Sequence, residues 1–425
     1  MRSKSDKKKP LVPRLRFPEF REAGAWEVKE LGEIASISNG LTADQSGDSN
    51  GLKVTRIETI SEGCIDISKV GYIDRIEGVE RFGLRIGDIL FSHINSQSHI
   101  GKTALVEEDF DLYHGMNLLR LQVDKTENNP RFTYYLLNTE FFRKSVQARS
   151  NQAVNQASIN QTEVGNSQIA VPSAKEQQKI AHCLSSLDEV IGLQAKKVQA
   201  LKRHKKGLMQ QLFPAEGETT TPRLRFPEFR EAVAWEVKEL IKLAGRGTER
   251  NQKGKIKRVL TNSAEHGVLD QREYFDKDIA IQGNLENYFV VDQGDFVYNP
   301  RISSFAPVGP ISRNDVGKGV MSPLYTVFSF RQSDTDFFAH YFNSSAWHSY
   351  MRKVGSTGAR HDRMAISNSD FLAMPLSVPN PKEQQKIAHC LSSLDEVIGL
   401  ESHKLDALKN LKKGLMQQLF PQDVP

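Results

Sequence analysis

One feature governs what this chain can fold into: several blocks of its sequence are written twice. Residues 13–22 (PRLRFPEFRE) return as 222–231, and 25–31 (AWEVKEL) return as 234–240, both 209 positions later. The stretch 175–193 (KEQQKIAHCLSSLDEVIGL) recurs without a change as 382–400, and 205–214 (KKGLMQQLFP) recurs as 412–421, both at an offset of 207. Self-similarity at a fixed period means one structural unit used repeatedly. Here the unit is about 200 residues long and occurs twice. Between the conserved blocks the copies have drifted but keep their pattern, so Gly87-Asp-Ile-Leu-Phe91 answers Gly294-Asp-Phe-Val-Tyr298. Some parts were held fixed while others changed their surface chemistry.

The fixed block reads as a long helix. Apolar residues alternate at spacings of four and three: Ile180, Leu184, Leu187, Ile191, then Val198, Leu201, Leu208 and Leu212, with Gln194 and Lys205 interrupting. The second copy gives Ile387, Leu391, Leu394, Ile398, Leu405, Leu408, Leu415 and Leu419, interrupted by Glu401 and Lys412. This is a coiled-coil seam of about five heptads. Prolines before each block and Pro214 and Pro421 after it stand where they cannot break a helix. Two equivalent stripes in one chain can bury each other if the helices run antiparallel.

The intervening segments mix short β-rich runs, such as 51–57 and 288–291, with helical stretches at 132–146 and 336–354. The fold class is therefore α+β: two domains of like fold separated by an antiparallel coiled coil, with a pseudo-twofold internal repeat. The expected boundaries are an N-terminal segment 1–24, a first domain 25–172, a helix 173–214, a connector 215–233, a second domain 234–379 and a second helix 380–421. Insertions around 215–221 are expected to lengthen the distance between the domains.

Chemistry is constrained mostly by what is missing. No G-x-x-x-x-G-K-[ST] phosphate loop, dinucleotide fingerprint or His/Cys cluster with metal spacing occurs. The expectation is no catalytic residue, no metal and no cofactor in this chain. Cys64, Cys183 and Cys390 are scattered, and no apolar run is long enough to span a membrane, so a cytoplasmic protein with reduced thiols is expected. A net charge of +5 is a mild tilt toward polyanions. What is present is a set of donor-rich segments at equivalent places. One holds His93, Asn95, Ser96 and Lys102, answered by Asn299, Arg301 and Ser303; another holds Asn151 and Gln152, answered by Arg360, His361 and Arg363. With Arg56, these are the candidate DNA-contacting residues. Arg forks onto guanine, and Asn or Gln pairs bidentately with adenine. The same residue types also make turns.

The run 171–181 with Gln177, Gln178, Ile180, Ala181 and Leu187, the LRFPEF openings, Trp26 and Trp235, and the GLMQQLF endings resemble the conserved regions of type I restriction-modification specificity subunits. The resemblance covers essentially the whole chain. It implies two target-recognition domains reading the halves of a bipartite double-stranded DNA site, with the helices as a ruler. It also implies assembly with two methyltransferase subunits and with restriction subunits, on which S-adenosylmethionine, ATP and Mg are expected. Subunit docking is expected at Lys175, Glu176, Gln177 and Gln178 and again at Lys382, Glu383, Gln384 and Gln385. A protein-interaction scaffold carrying two globular domains on a coiled-coil spacer is the alternative.

Overall fold

The computed structural model describes residues 11–44, 49–153, 156–217, 220–274, 285–357 and 362–422. Each repeated block is one uninterrupted helix of 39 residues, Ala174–Leu212 and Pro381–Leu419, about 58 Å long at 1.5 Å per residue. Compact contacts divide the chain in a way its linear order hides. One unit comprises residues 1–194 and 404–425, and the other comprises 195–403. Each unit therefore owns one globular segment and half of each long helix.

Within each unit the helical halves run antiparallel. In the first unit Lys412 Nζ lies 2.5 Å from Asp188, and in the second Lys205 lies 2.5 Å from Asp395. Asp188 and Asp395 are equivalent in the repeat, as are Lys205 and Lys412, so one ion pair is made twice with the helices exchanging roles. These lysines are the seam interruptions, and Lys197 likewise meets Glu401, the interruption of the other helix. Charged groups at seam positions fix register at some cost in stability. The seam itself is deepest where a domain also covers it. Ile180, Leu184, Ile387 and Leu391 are buried, whereas Leu187, Ile191, Leu394 and Ile398 are half-buried.

Both units build the same frame. The first has a four-stranded antiparallel sheet in the order Ala35–Asn39, Leu118–Val123, Asp88–Ser92, Thr103–Leu105. The second repeats it as Ala244–Arg246, Thr326–Phe330, Phe296–Tyr298, Ile311–Arg313. Gly87 and Gly294, at φ 96° and 90°, supply the left-handed turn before the central strands, and Asp88 and Asp295 accept backbone N–H groups of Arg85 and Asp292 across it. A two-stranded clamp, Glu27–Glu30 on Gln168–Val171 and Glu236–Glu239 on Pro375–Val378, ties each domain start to its end.

The helical stretches 132–146 and 336–354 are each two short helices, not one: Pro130–Leu137 with Glu140–Arg149, and Asp336–Phe342 with His348–Val354. In the first unit the break falls where Thr139 caps the second helix, its hydroxyl accepting from Phe142 N. These helices pack on the long ones through aromatic residues. Phe420 stacks near Trp26 and Phe132, and Phe213 near Phe337 and Tyr341. Phe420 follows the helix of the second copy, yet completes the core of the first domain; Phe213 does the converse. A buried carboxylate lies beneath each aromatic group. Glu176 takes both oxygens to Arg16 (2.8 and 2.7 Å) and accepts from Trp26 Nε1 at 3.3 Å, while Glu383 repeats the arrangement with Arg225 and Trp235.

Candidate nucleic-acid interface

The donor-rich segments, far apart in sequence, are brought together by backbone pairing. In the first unit Ile94–Asn95, Gln156–Ser158 and Asn151–Ala153 form one small antiparallel sheet, with Asn95 opposite Ala157 and Ala157 opposite Gln152. In the second, Arg301 bridges Arg363, Ile302 N donates to Asp362 O, and Ser356–Thr357 pairs with Met364–Ala365. Each domain thus presents a two-stranded ribbon beside the loop that leaves its central sheet strand, an element of the size the major groove admits.

Individual residues divide into frame and face. Asn95 spends its side chain on Ser92 Oγ and Ser96 N, and Ser96 Oγ lies 2.9 Å from His99 Nδ1. Asn299 donates to Asn262 O and accepts from Arg301 N, and Ser303 Oγ accepts from Ala306 N. These four hold turns. Gly309, at φ +81°, lets the loop pass Asn299 so closely that a Cβ would sit 2.2 Å from its carbonyl oxygen. Lys102 is tethered to Ser61 O at 2.6 Å. His93 is half-buried, its Nδ1 unpartnered and its imidazole pushed down to about 4 by burial, so at neutral pH it carries no charge toward a phosphate. Arg56 stands apart in the lobe of the Leu52–Val54 and Gly71–Ile73 hairpin, beside Glu58 and a 170 Å³ cavity. Asn151 and Gln152 are exposed on the first ribbon, Arg301 is exposed on the loop beside the second, and Arg363 is half-buried. Arg360 and His361 lie outside the described residues.

The docking residues need correction. Glu176 and Glu383 are each 1 % exposed and engaged as above, so neither is open to a partner. Gln177 Nε2 donates to Pro172 O while its Oε1 accepts from Asn129 N; Gln384 Nε2 donates to Pro379 O. These four close each domain onto its helix, because a polar pair at the helix start meets backbone groups that the clamp leaves open. Lys175, Gln178, Lys382 and Gln385 are exposed. Reading the seam alone missed a second apolar patch. Val190 and Leu193 are exposed (47 and 60 %), as are their equivalents Val397 and Leu400 (41 and 70 %). The available signal was apolar residues off the heptad seam inside a block repeated without change.

Among the described residues no helix is long and apolar enough to cross a membrane, and no group of three His, Cys, Asp or Glu is placed to hold a metal. The three cysteines are free.

Comparison with known proteins gives a consistent answer. The profile of the type I restriction modification DNA specificity domain matches residues 24–203 and 242–410. A protein of Methanocaldococcus jannaschii named as the MjaX type I restriction enzyme specificity subunit is 34 % identical, covering 93 % of this chain and 92 % of its own. The MjaVIII specificity subunit of the same organism is 24 % identical over 60 % of this chain and 61 % of its own. Among solved structures, the S subunit of the type I system from M. genitalium has the same fold, with a TM-score of 0.57 at 13 % identity over 97 % of this chain and 99 % of that one. A chain from a study of type I complex assembly and conformational transition has a TM-score of 0.52 at 17 % identity, over 94 % of this chain and 98 % of that one.

Proposed function

Since the chain belongs to the type I restriction-modification DNA specificity family and is a DNA-recognition subunit with two domains, we propose that each domain reads one half of a bipartite duplex target with its ribbon and adjoining loop. One observation carries this reading. The two units share a frame down to the duplicated Arg16–Glu176 and Arg225–Glu383 pairs, and differ in the donors they present: exposed Asn151 and Gln152 on the ribbon of the first, against half-buried Arg363 at the ribbon of the second and exposed Arg301 on its adjoining loop. Exposed Arg, Asn and Gln suit base edges; the turn-holding Asn95, Ser96, Asn299 and Ser303 position them.

Catalysis is assigned to partners: two methyltransferase subunits holding S-adenosylmethionine, and restriction subunits using ATP and Mg. The patches Val190/Leu193 and Val397/Leu400, with the exposed Lys175, Gln178, Lys382 and Gln385 nearby in sequence, are two equivalent faces suited to two copies of one partner. A subunit that acts on DNA points to the cytoplasm.

A salt series tests the reading against a protein scaffold. Duplex binding should weaken with a log–log slope proportional to the phosphates neutralised, about 0.9 per contact. Binding to DNA that ignores salt, or no binding, would remove the DNA-reading assignment.

A further inference from the structure

The second unit contains an open groove of 1020 Å³ between the second half of the first long helix and the domain. One wall carries Lys202 and Lys206, its end carries Arg223, and the opposite wall includes the loop after Arg301, where Phe305 is 71 % exposed.

Its charge is unbalanced in an informative way. Most of the acids lining it are already engaged: Asp395 with Lys205, Asp315 with Arg313, and Glu216 with Arg352. Glu265 lies 3.7 Å from His266 on the hairpin turn. Lys202, Lys206 and Arg223 are exposed and form no ion pair among the described residues. Residues 195–212 contain six Lys or Arg and no acid. Lys206 is equivalent to Lys413, whose charge helps hold the Glu140 carboxyl below its usual range, after the larger effect of Lys144. The position of Glu140 is taken by Ser345 in the second unit, and Ser345 lines the groove.

We propose that this groove seats the sugar-phosphate backbone of the duplex beside the half-site read by the second domain, with Lys202, Lys206 and Arg223 as phosphate contacts and Phe305 on the adjoining lip. The occupant follows from three uncompensated cations at one wall and from continuity with the loop bearing Arg301. Phosphate contacts of this kind set register and affinity without reading sequence. The proposal rests on the DNA-reading assignment above and adds a positioning site on the helix itself.

The test measures duplex binding by the full chain in complex with its methyltransferase subunits. Wild type is compared with the triple variant Lys202→Gln/Lys206→Gln/Arg223→Gln over a salt series, on target and scrambled duplexes. Loss of the contacts should weaken both duplexes by the same factor and flatten the log–log salt slope by about 2 to 3. Lys202→Arg/Lys206→Arg, which keeps the charge, should retain the wild-type slope, and an unchanged melting transition excludes misfolding of the variant. A triple variant that keeps the wild-type slope and affinity overturns the groove assignment while leaving the DNA-reading assignment standing. So does a variant that loses its methyltransferase subunits but binds DNA normally, since the groove would then dock protein. Absence of salt-dependent binding in the wild type defeats the broader reading instead.

Discussion

At the scale of single residues, the most consequential groups are polar ones that the domains bury. Arg16 and Glu176 form a bidentate pair in which both side chains are over 90 % buried, and Trp26 adds a third bond. Removing one member of such a pair leaves the other charge without compensation, which costs about 3–5 kcal/mol. Glu176→Ala should therefore lower unfolding stability by that amount, whereas replacing Arg16 and Glu176 together with leucine should cost much less; urea unfolding distinguishes the two. Acid sensitivity comes from a second set. His340 is buried against the long helix, with Nε2 3.0 Å from Ser392 Oγ and Nδ1 4.0 Å from Asp395, and burial, aided by Lys205 and Arg313 and opposed by Asp395 and Asp336, pushes it down to about 4. His114 is pushed to about 4 as well, chiefly by burial. An unfolded histidine titrates near 6.5. Between those values the unfolded state holds the extra proton, so this stability is complete above about pH 6.5 and is lost as the pH falls toward 4. Urea midpoints should drop across that window, and His340→Gln should make the drop shallower by up to one proton, about 1.4 kcal/mol per pH unit; an equal pH dependence in the variant would refute the assignment. Sequence could propose Asn95 and Asn299 as readers because residue type alone does not separate a base-contacting amide from one that closes its own turn. Only backbone geometry decides that.

At the scale of elements, the long helices were the most legible part, since a stripe repeated over five heptads leaves few alternatives to a paired helix. The helical stretch at 132–146 was legible in kind but not in extent: Asn138 and Thr139 read equally as helix surface and as a cap, and the cap prevailed. Helix surfaces also carry a signal that periodicity does not weigh. Gly192, Gly207, Gly399 and Gly414 sit inside the helices, and a Cβ at any of them would meet nothing within 4 Å. Glycine in a helix interior costs about 0.5–1 kcal/mol relative to alanine. Gly192→Ala with Gly399→Ala should accordingly raise the melting temperature of the isolated chain. Those two glycines stand between Val190 and Leu193 and between Val397 and Leu400, the faces proposed for docking of the methyltransferase subunits. Added methyl groups there should weaken subunit association in a pull-down titration, and undiminished association would move the docking face elsewhere.

At the scale of the whole molecule, sequence order suggested domains and helices as successive modules, and antiparallel pairing regrouped them. Ile180, near the start of the first long helix, and Phe420, just after the second, belong to one core, and Phe213 and Ile387 belong to the other. If the helices act as a ruler, this regrouping relocates it. Residues 215–221 were expected to set the spacing, but the described chain on either side of 218–219 is bonded within the second unit, with Leu224 N bonded to Gln211 O and Trp235 N to Thr220 O. Insertions there should bulge locally and leave the unread spacer unchanged. If the helices measure the spacing, the places to lengthen them are where each passes from one compact unit to the other, between 194 and 195 and between 403 and 404. One heptad inserted at both places keeps the seam in phase and adds about 10.5 Å, close to three base pairs at 3.4 Å each. Three base pairs rotate the second half-site by nearly a third of a turn, while a heptad of helix turns the attached unit by only about 20°. Single-heptad variants should therefore modify targets of every spacer length poorly. Three heptads add about 31.5 Å, nearly the 34 Å of a full DNA turn, and should restore modification on targets whose spacer is longer by about nine or ten base pairs. Methylation of a target library with graded spacers, by complexes containing each variant, checks the pair of outcomes. A wild-type complex that modifies many spacer lengths equally well would show that the helices tether the readers without measuring the distance between them.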